Sequence, residues 1–357
     1  MSFSHLTFLY CGLIIFLPVP VLEYFPSFQP RLLGSITTNH SKLNLVEPAA
    51  TNIIFQSKDN GKTWQDVSYS LPENVQPEDF FAGESGMYLR VKNGMYRSKS
   101  NLESPVWEKE NGLDSRTASI AFNRSSVMAY NYGGQIYQKM PSEGTWSPIY
   151  TNFKKHSMRT VFETTDGTVF LGYDSGLYKS TDGGKSWRQV QNEGWVMHMV
   201  ESKGVLIATG QKGIMRSTDN GEHWQWVIRE GGVGIAIAKI ENGFAVISCN
   251  TTTITRRIHL SFDDGKTWKA IDDGLRPSLF ISSIKQVGKY LICGHPDGIF
   301  RSSDLGKTWN IVHPSVDNND FKYRTTLNSD PFDDHRKVFK IYVSGNTVYA
   351  VAGDAGC

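Results

Sequence analysis

Cysteine is scarce in this chain, four among 357 residues, and no two form a Cys-x-x-Cys pair. Paired-thiol metal and redox motifs are therefore absent. A glycine-rich phosphate loop, a nucleophile elbow and a His-Glu-x-x-His motif are missing as well, which removes the sequence signs of nucleotide binding, serine-hydrolase catalysis and zinc proteolysis. No charge of either sign predominates: 37 Lys and Arg against 35 Asp and Glu leave a net charge of +2, without a basic run. Neither nucleic acid nor an anionic membrane is implied as a partner, and no cofactor is expected.

What is present is repetition. The phrases SKDNGKTW (Ser57 to Trp64), STDGGKSW (Ser180 to Trp187), STDNGEHW (Ser217 to Trp224), SFDDGKTW (Ser261 to Trp268) and SSDLGKTW (Ser302 to Trp309) are five copies of one motif. Two worn copies end at Trp107 and Trp146 and fill the gap between the first and second, so the array has seven units. Successive tryptophans fall about 40 residues apart, the period of four short strands and their turns in a β-propeller blade.

The motif reads physically as a turn. Asp followed by Asn-Gly, Gly-Gly or Asp-Gly offers a short acceptor side chain and a glycine free to take positive φ. Asp59, Asp182, Asp219, Asp263 and Asp304 can satisfy backbone amides that the turn leaves unpaired. Trp64, Trp187, Trp224, Trp268 and Trp309 offer an apolar face to the neighbouring unit and one indole N–H that needs an acceptor. The aspartates suggest a metal loop, but the later acidic ligand of an EF-type loop is missing. They are therefore structural, and no metal site is expected. The pattern resembles the Asp-box, or bacterial neuraminidase repeat, S-x-D-x-G-x-T-W, over most of residues 51 to 357.

An apolar run, a glycine turn and a second alternating run precede each full box, as in Gly167 to Val190, and a strand follows it. The first box has only TNIIFQS before it, whereas Val338 to Cys357 carries two strands and stops where a box would begin. The tail strands are therefore expected to complete the first blade, giving an all-β, seven-bladed propeller over 51–357 with no open edge. Cys249 and Cys293 fall in the second strands of adjacent units. A disulfide in an oxidising compartment is one reading, and a buried thiol at Cys293, where other units carry small residues, is the preferred one.

Residues 1–22 are read as a signal peptide or membrane anchor, because Leu6 to Leu22 is uncharged, strongly apolar and interrupted by proline. Residues 23–50, with Pro26 and Pro30, read as a linker. The expected location is exported: periplasmic, extracellular or membrane-anchored, with membrane contact through this segment alone.

With the boxes on one face, a site is expected on the other. Connections from second to third strand there would carry Glu84, Asp174, Lys212 and Asp297. Connections between blades would carry Arg116, Lys154, Lys155, His156, Arg159, Trp195, His198, Arg229 and Arg276. Together these could form a basic mouth suited to an acidic or carboxylated partner, or they are solvated loop charges. The loop His313 to Lys337 has a carboxylate-rich, irregular composition and reads as a polar loop.

Gly176-Leu177-Tyr178-Lys179-Ser180, Gly213-Ile214-Met215-Arg216-Ser217 and Gly298-Ile299-Phe300-Arg301-Ser302, each running into a box, resemble the photosystem II stability and assembly factor family. That resemblance implies an exported, non-catalytic seven-bladed scaffold that binds a protein partner; a glycan is the other partner class considered. Asp-boxes also occur in sialidases, so a glycoside hydrolase is the alternative. The sialidase Phe-Arg-Ile-Pro signature is absent, the blade count differs, and no catalytic residue can be named.

Overall fold

The computed structural model describes residues 51–354 except 74, 84–85, 93, 100–103, 112, 114–118, 123–126, 140–144, 151–156, 230–231 and 317–336. The expected leader or anchor and the linker lie outside the described residues, as does most of the 313–337 loop.

The described residues form seven four-stranded antiparallel sheets, and the protein is a seven-bladed β-propeller. Six blades follow the chain in order: β3 to β6 (Pro77–Gly83, Gly86–Val91, Gly94–Ser98, Glu108–Lys109), β7 to β10 (Ser119–Phe122, Val127–Tyr130, Ile136–Lys139, Trp146–Ile149), β11 to β14 (Met158–Glu163, Val169–Tyr173, Gly176–Ser180, Arg188–Gln191), β15 to β18 (Val196–Ser202, Val205–Gly210, Gly213–Ser217, Gln225–Ile228), β19 to β22 (Gly232–Ile240, Gly243–Asn250, Thr255–Ser261, Lys269–Ala270) and β23 to β26 (Ser283–Val287, Tyr290–His295, Gly298–Ser302, Asn310–Pro314). The seventh is composite. β1 (Ile54–Ser57) and β2 (Gln65–Asp66) pair with β28 (Thr347–Asp354) and β27 (Lys337–Ser344) in the order β2-β1-β28-β27. The register sets Ile54 opposite Val351 and Ser57 opposite Val348. The ring therefore closes as the sequence predicts.

Strand composition follows position in the blade. Second strands such as Val205–Gly210 are buried along their whole length, because both sheet faces are covered there, and they read as unbroken apolar runs. Fourth strands lie at the rim and are short; Gln65–Asp66 and Glu108–Lys109 are polar and exposed, a composition that discourages pairing with another chain's edge. First strands stand side by side around the axis, each packing on the first strand of the next blade, including β23 on β27 and β27 on β3.

The core is divided among the interfaces between blades. Seven apolar clusters each draw on two neighbouring sheets, and each includes one repeat tryptophan: Trp64, Trp107, Trp146, Trp187, Trp224, Trp268 or Trp309. Trp224, for example, meets Phe170 of the preceding blade edge to face, with ring centroids 6.4 Å apart. The indole donors are treated less uniformly than the apolar faces. Trp187, Trp224 and Trp268 bond the carbonyl of their own box glycine, whereas Trp107 and Trp309 reach back to Val67 and Ile271 of the preceding blade. Trp64 and Trp146 have no acceptor among the described residues.

The five complete boxes share one hydrogen-bond network. In the first, Ser57 Oγ donates to Asp59 Oδ1 at 2.8 Å and accepts the Gly61 amide at 2.9 Å. Asp59 also accepts the Thr63 amide and hydroxyl at 2.9 and 2.7 Å. Asp182, Asp263 and Asp304 repeat these bonds with Ser186, Thr267 and Thr308. His223 replaces the hydroxyl residue beside Asp219, its Nδ1 lying 2.6 Å from the carboxylate. The box glycine is required twice over: Gly221 has φ of 76°, and a Cβ there would lie 2.4 Å from Phe170 Cζ.

Cys249 and Cys293 are both buried thiols rather than partners in a disulfide. Burial pushes the Cys293 thiol well up, with Asp272 adding to the shift, so it is a core side chain and not a nucleophile.

Candidate functional site

Lys212, Asp174 and Asp297 stand at turns from second to third strand, on the face opposite the boxes. Glu84 lies outside the described residues. Arg116, Lys154, Lys155 and His156 also lie outside the described residues. The remaining predicted residues form four separate groups, the last being Lys212 and Arg229 about Glu193 and Trp226.

The first group spans three blades. Arg159 pairs with Asp174, and Tyr132, on the turn of the preceding blade, donates its hydroxyl to the same carboxylate at 2.5 Å. The Arg159 guanidinium lies 5.7 Å from the Tyr132 ring centroid and 5.3 Å from that of Trp195, which opens the following blade. A bulge positions this arginine: Met158 pairs with Tyr173 and Thr160 with Gly172, leaving Arg159 as the extra residue. Equivalent bulges leave Glu78, Met197 and Ile235 unpaired in other first strands. A bulge re-aims one side chain out of the sheet, here at the end of the first strand where it meets the open face. Burial alone would raise the Asp174 carboxyl, but the bonds from Tyr132, Arg159 and Ser157 outweigh it and hold the group below the usual carboxylate range.

The second group is on the blade β23 to β26 and the loop before it. Arg276 Nε bonds Asp297 Oδ2 at 2.9 Å. His295 fixes both partners: its Nε2 lies 2.9 Å from the Arg276 carbonyl, and its Nδ1 accepts the Asp297 amide at 3.1 Å. His295 is fully buried, a role that no sequence pattern signals.

His198 forms the third group. It lies on β15, facing the axial channel, where Lys285 of β23 and Lys340 of β27 act on it electrostatically. The protein mass of the surrounding ring, followed by those two ammonium groups, pulls its imidazole down to about 4, although the side chain is open to the channel.

The described bases of the mouth are mostly paired with acids. Lys212 bonds Glu193 at 3.1 Å, and Arg257 bonds Asp272 at 2.8 Å. Arg229 instead lies over Trp226, whose indole donates to Glu193 at 2.9 Å. Bonds from Trp226 and Lys212 lower the Glu193 carboxyl. Among the described residues, this part of the face is thus a lattice of ion pairs and aromatics. Beside it, a cleft of about 310 Å³ runs between two blades, lined by Gly213, Ile228, Asn250, Thr253 and Arg257.

His313, at the start of the long loop, packs its ring 4.6 Å from Phe55 and 5.3 Å from Phe339. Its imidazole is part of the blade junction. Asp317, Asp320, Asp330, Asp333, Asp334 and His335 lie outside the described residues.

This chemistry suits recognition. Exposed aromatic faces with arginines laid over them offer large, rigid contact area with polar tips. Tyr132 is 52% exposed, and Arg159 remains partly accessible.

No protein-family model and no curated protein matches the sequence. Among solved structures the chain is similar to YCF48 from Cyanidioschyzon merolae, at 14% identity over 79% of this chain and 95% of that one, with a TM-score of 0.54. It is similar to an ancestral GH74 enzyme at 13% identity, covering 86% of this chain and 48% of that one, with a TM-score of 0.55. A catalytically inactive virginiamycin B lyase from Staphylococcus aureus is similar at 12% identity, over 78% of this chain and 96% of that one, with a TM-score of 0.55. These likenesses show the propeller fold, which hosts unrelated functions. The chain spans about half the length of the GH74 structure.

Proposed function

We propose that this propeller is an exported, non-catalytic binding protein that holds a protein partner against the face opposite its boxes. The observation that carries the reading is the Arg159 group: a guanidinium between two partly open aromatic rings, fixed by a carboxylate and assembled from three successive blades. Tyr, Trp and Arg in such a setting are the residues that dominate protein interfaces. The resemblance of the box-preceding strands to photosystem II stability and assembly factors, together with the fold shared with YCF48, supports a scaffold role. The apolar segment Leu6 to Leu22 supports export.

Hydrolysis of a glycan would need a carboxyl held protonated near neutral pH as general acid. Among the described residues, every carboxyl displaced from its ordinary value is displaced downward, including Asp174 and Glu193. That pattern favours binding over catalysis.

The test is capture from the exported fraction with the wild-type chain and with an Arg159→Ala, Trp195→Ala double variant. A specific protein partner should be retained by the wild type and weakened at least tenfold by the variant, since hot-spot truncations cost about 2 kcal/mol or more. Equal capture by both would remove this face from the interaction. Release of sugar from glycan substrates would replace the reading with the hydrolase.

A further inference from the structure

Three cationic or ionisable groups on three different first strands converge at the propeller axis. β15, which carries His198, is separated from β23 by β19, and from β27 by β19 and β23 together. Because these strands are not all neighbours, the electrostatic contact of His198 with Lys285 and Lys340 runs across the channel. His198 pairs with Thr209, and Lys340 with Val351. Thr209 and Val351 stand the same number of residues beyond Leu206 and Val348, the partners of the box serines Ser217 and Ser57. The two groups are therefore level along the axis. Lys285 is one side-chain step deeper, opposite Ile292.

The strand between His198 and Lys285 carries the small residues Gly232, Gly234, Ala236 and Ala238, the two glycines and the two alanines on opposite faces because of the bulge at Ile235. Acids do not neutralise the cluster. Glu78 is taken up by Arg90, and Asp79 accepts the Tyr342 hydroxyl and the Phe80 amide. Glu201 accepts the Thr165 amide and hydroxyl, and Glu163 stands at the far end of β11 beside the turn to β12. Lys340 Nζ donates to the Glu78 carbonyl at 3.2 Å, which leaves its charge unpaired. Lys285 makes no hydrogen bond or ion pair with any described residue.

We propose that the axial channel is an oxyanion site in which Lys285, Lys340 and His198 together receive one carboxylate or phosphate group. Two ammonium groups facing one channel repel one another and disfavour a proton on the imidazole, and a bound anion relieves that repulsion. Lys285 is half-buried, and burial lowers its ammonium. The site is distinct from the Arg159 surface and does not rest on the proposed partner.

The test is NMR titration of the His198 imidazole in the full chain, its signal identified by its loss in a His198→Gln variant. The titration is run in inorganic phosphate, in acetate and in sodium chloride at equal ionic strength. An anion in the site should raise the imidazole pKa by about one unit or more relative to chloride. A shift in phosphate alone assigns a phosphate ligand, and one in acetate assigns a carboxylate. Lys285→Met should abolish the shift while Lys285→Arg keeps most of it; if Lys285→Met does not fold, Lys340→Met serves in its place. Identical His198 titration in all three salts would overturn the proposal, as would a full shift in a folded methionine variant.

Discussion

Leu305 occupies the box position at which Asn60, Asn220 and Asp264 stand in other units and Gly183 in the second. The backbone there is left-handed in every case, with φ of 58° at Leu305 against 58°, 55°, 59° and 72° at the others. A leucine in that conformation sets its Cβ against the following carbonyl, a cost of about 1–2 kcal/mol, and it lacks the polar side chain by which asparagine tolerates αL. It is 42% exposed, so little burial is lost on replacement. Leu305→Asn should therefore stabilise the protein by about 1 kcal/mol, read as an increased urea midpoint with unchanged slope. An unchanged or lower midpoint would mean that Leu305 packs more favourably than its exposure implies.

At the scale of elements, the basic residue directly before the box serine at the end of the third strand ties successive blades together. Lys179 Nζ donates to the Asn220 carbonyl at 2.7 Å, Arg216 Nε to Asp264 at 2.6 Å and Arg301 Nε to Asn60 at 2.9 Å. The acceptor is always the left-handed residue of the next box, whose carbonyl the turn itself leaves free. Arg301 also stacks on Tyr290, 3.4 Å from its centroid, and its bond joins the last full blade to the first box. Arg301→Ala should cost about 1.5–3 kcal/mol, the range for a charged hydrogen bond, as measured by urea unfolding. Arg188→Ala, which removes a mostly exposed partner of Glu222, should cost well under 1 kcal/mol. Equal effects would mean that the blade-to-blade bond adds nothing beyond surface charge.

These links also show where sequence reading succeeds. Boxes, strands and blade count are legible because Asp, Gly and Trp recur at one spacing and each does its work within a few residues of chain. The Lys179, Arg216 and Arg301 positions are visible as part of that pattern, but their acceptors lie a whole blade away. The Arg159 group is half legible: Arg159, Trp195 and Asp174 stand out as candidates in the sequence, while Tyr132 does not, because only the packing of three blades brings it to Asp174. His295, Lys285 and Lys340 are single residues at unlike positions in separate strands, and no local pattern distinguishes them from ordinary core or surface residues.

For the whole molecule, the composite blade decides whether the ring is one cooperative unit. β27 and β28 complete two interface clusters at once: Phe339, Ile341, Val348 and Ala350 on one side, and Tyr349 and Val351 on the other. Without them β1 keeps only the two-residue β2 as a partner, and two apolar blade faces meet water. Burial of a single large apolar side chain contributes about 1.5–3 kcal/mol, so the loss of this set is comparable to the roughly 5–15 kcal/mol by which domains are stable. A chain ending after Pro314 should therefore lose its cooperative thermal transition and bind a dye for exposed apolar surface, instead of forming a stable six-bladed arc. Adding a peptide of residues 337–354 in trans should restore the transition, because β28 pairs with β1 through backbone bonds and needs no covalent link to the sixth blade. A truncated chain that melts cooperatively at the wild-type temperature would show that each blade is stabilised mainly by its immediate neighbours and that ring closure contributes little.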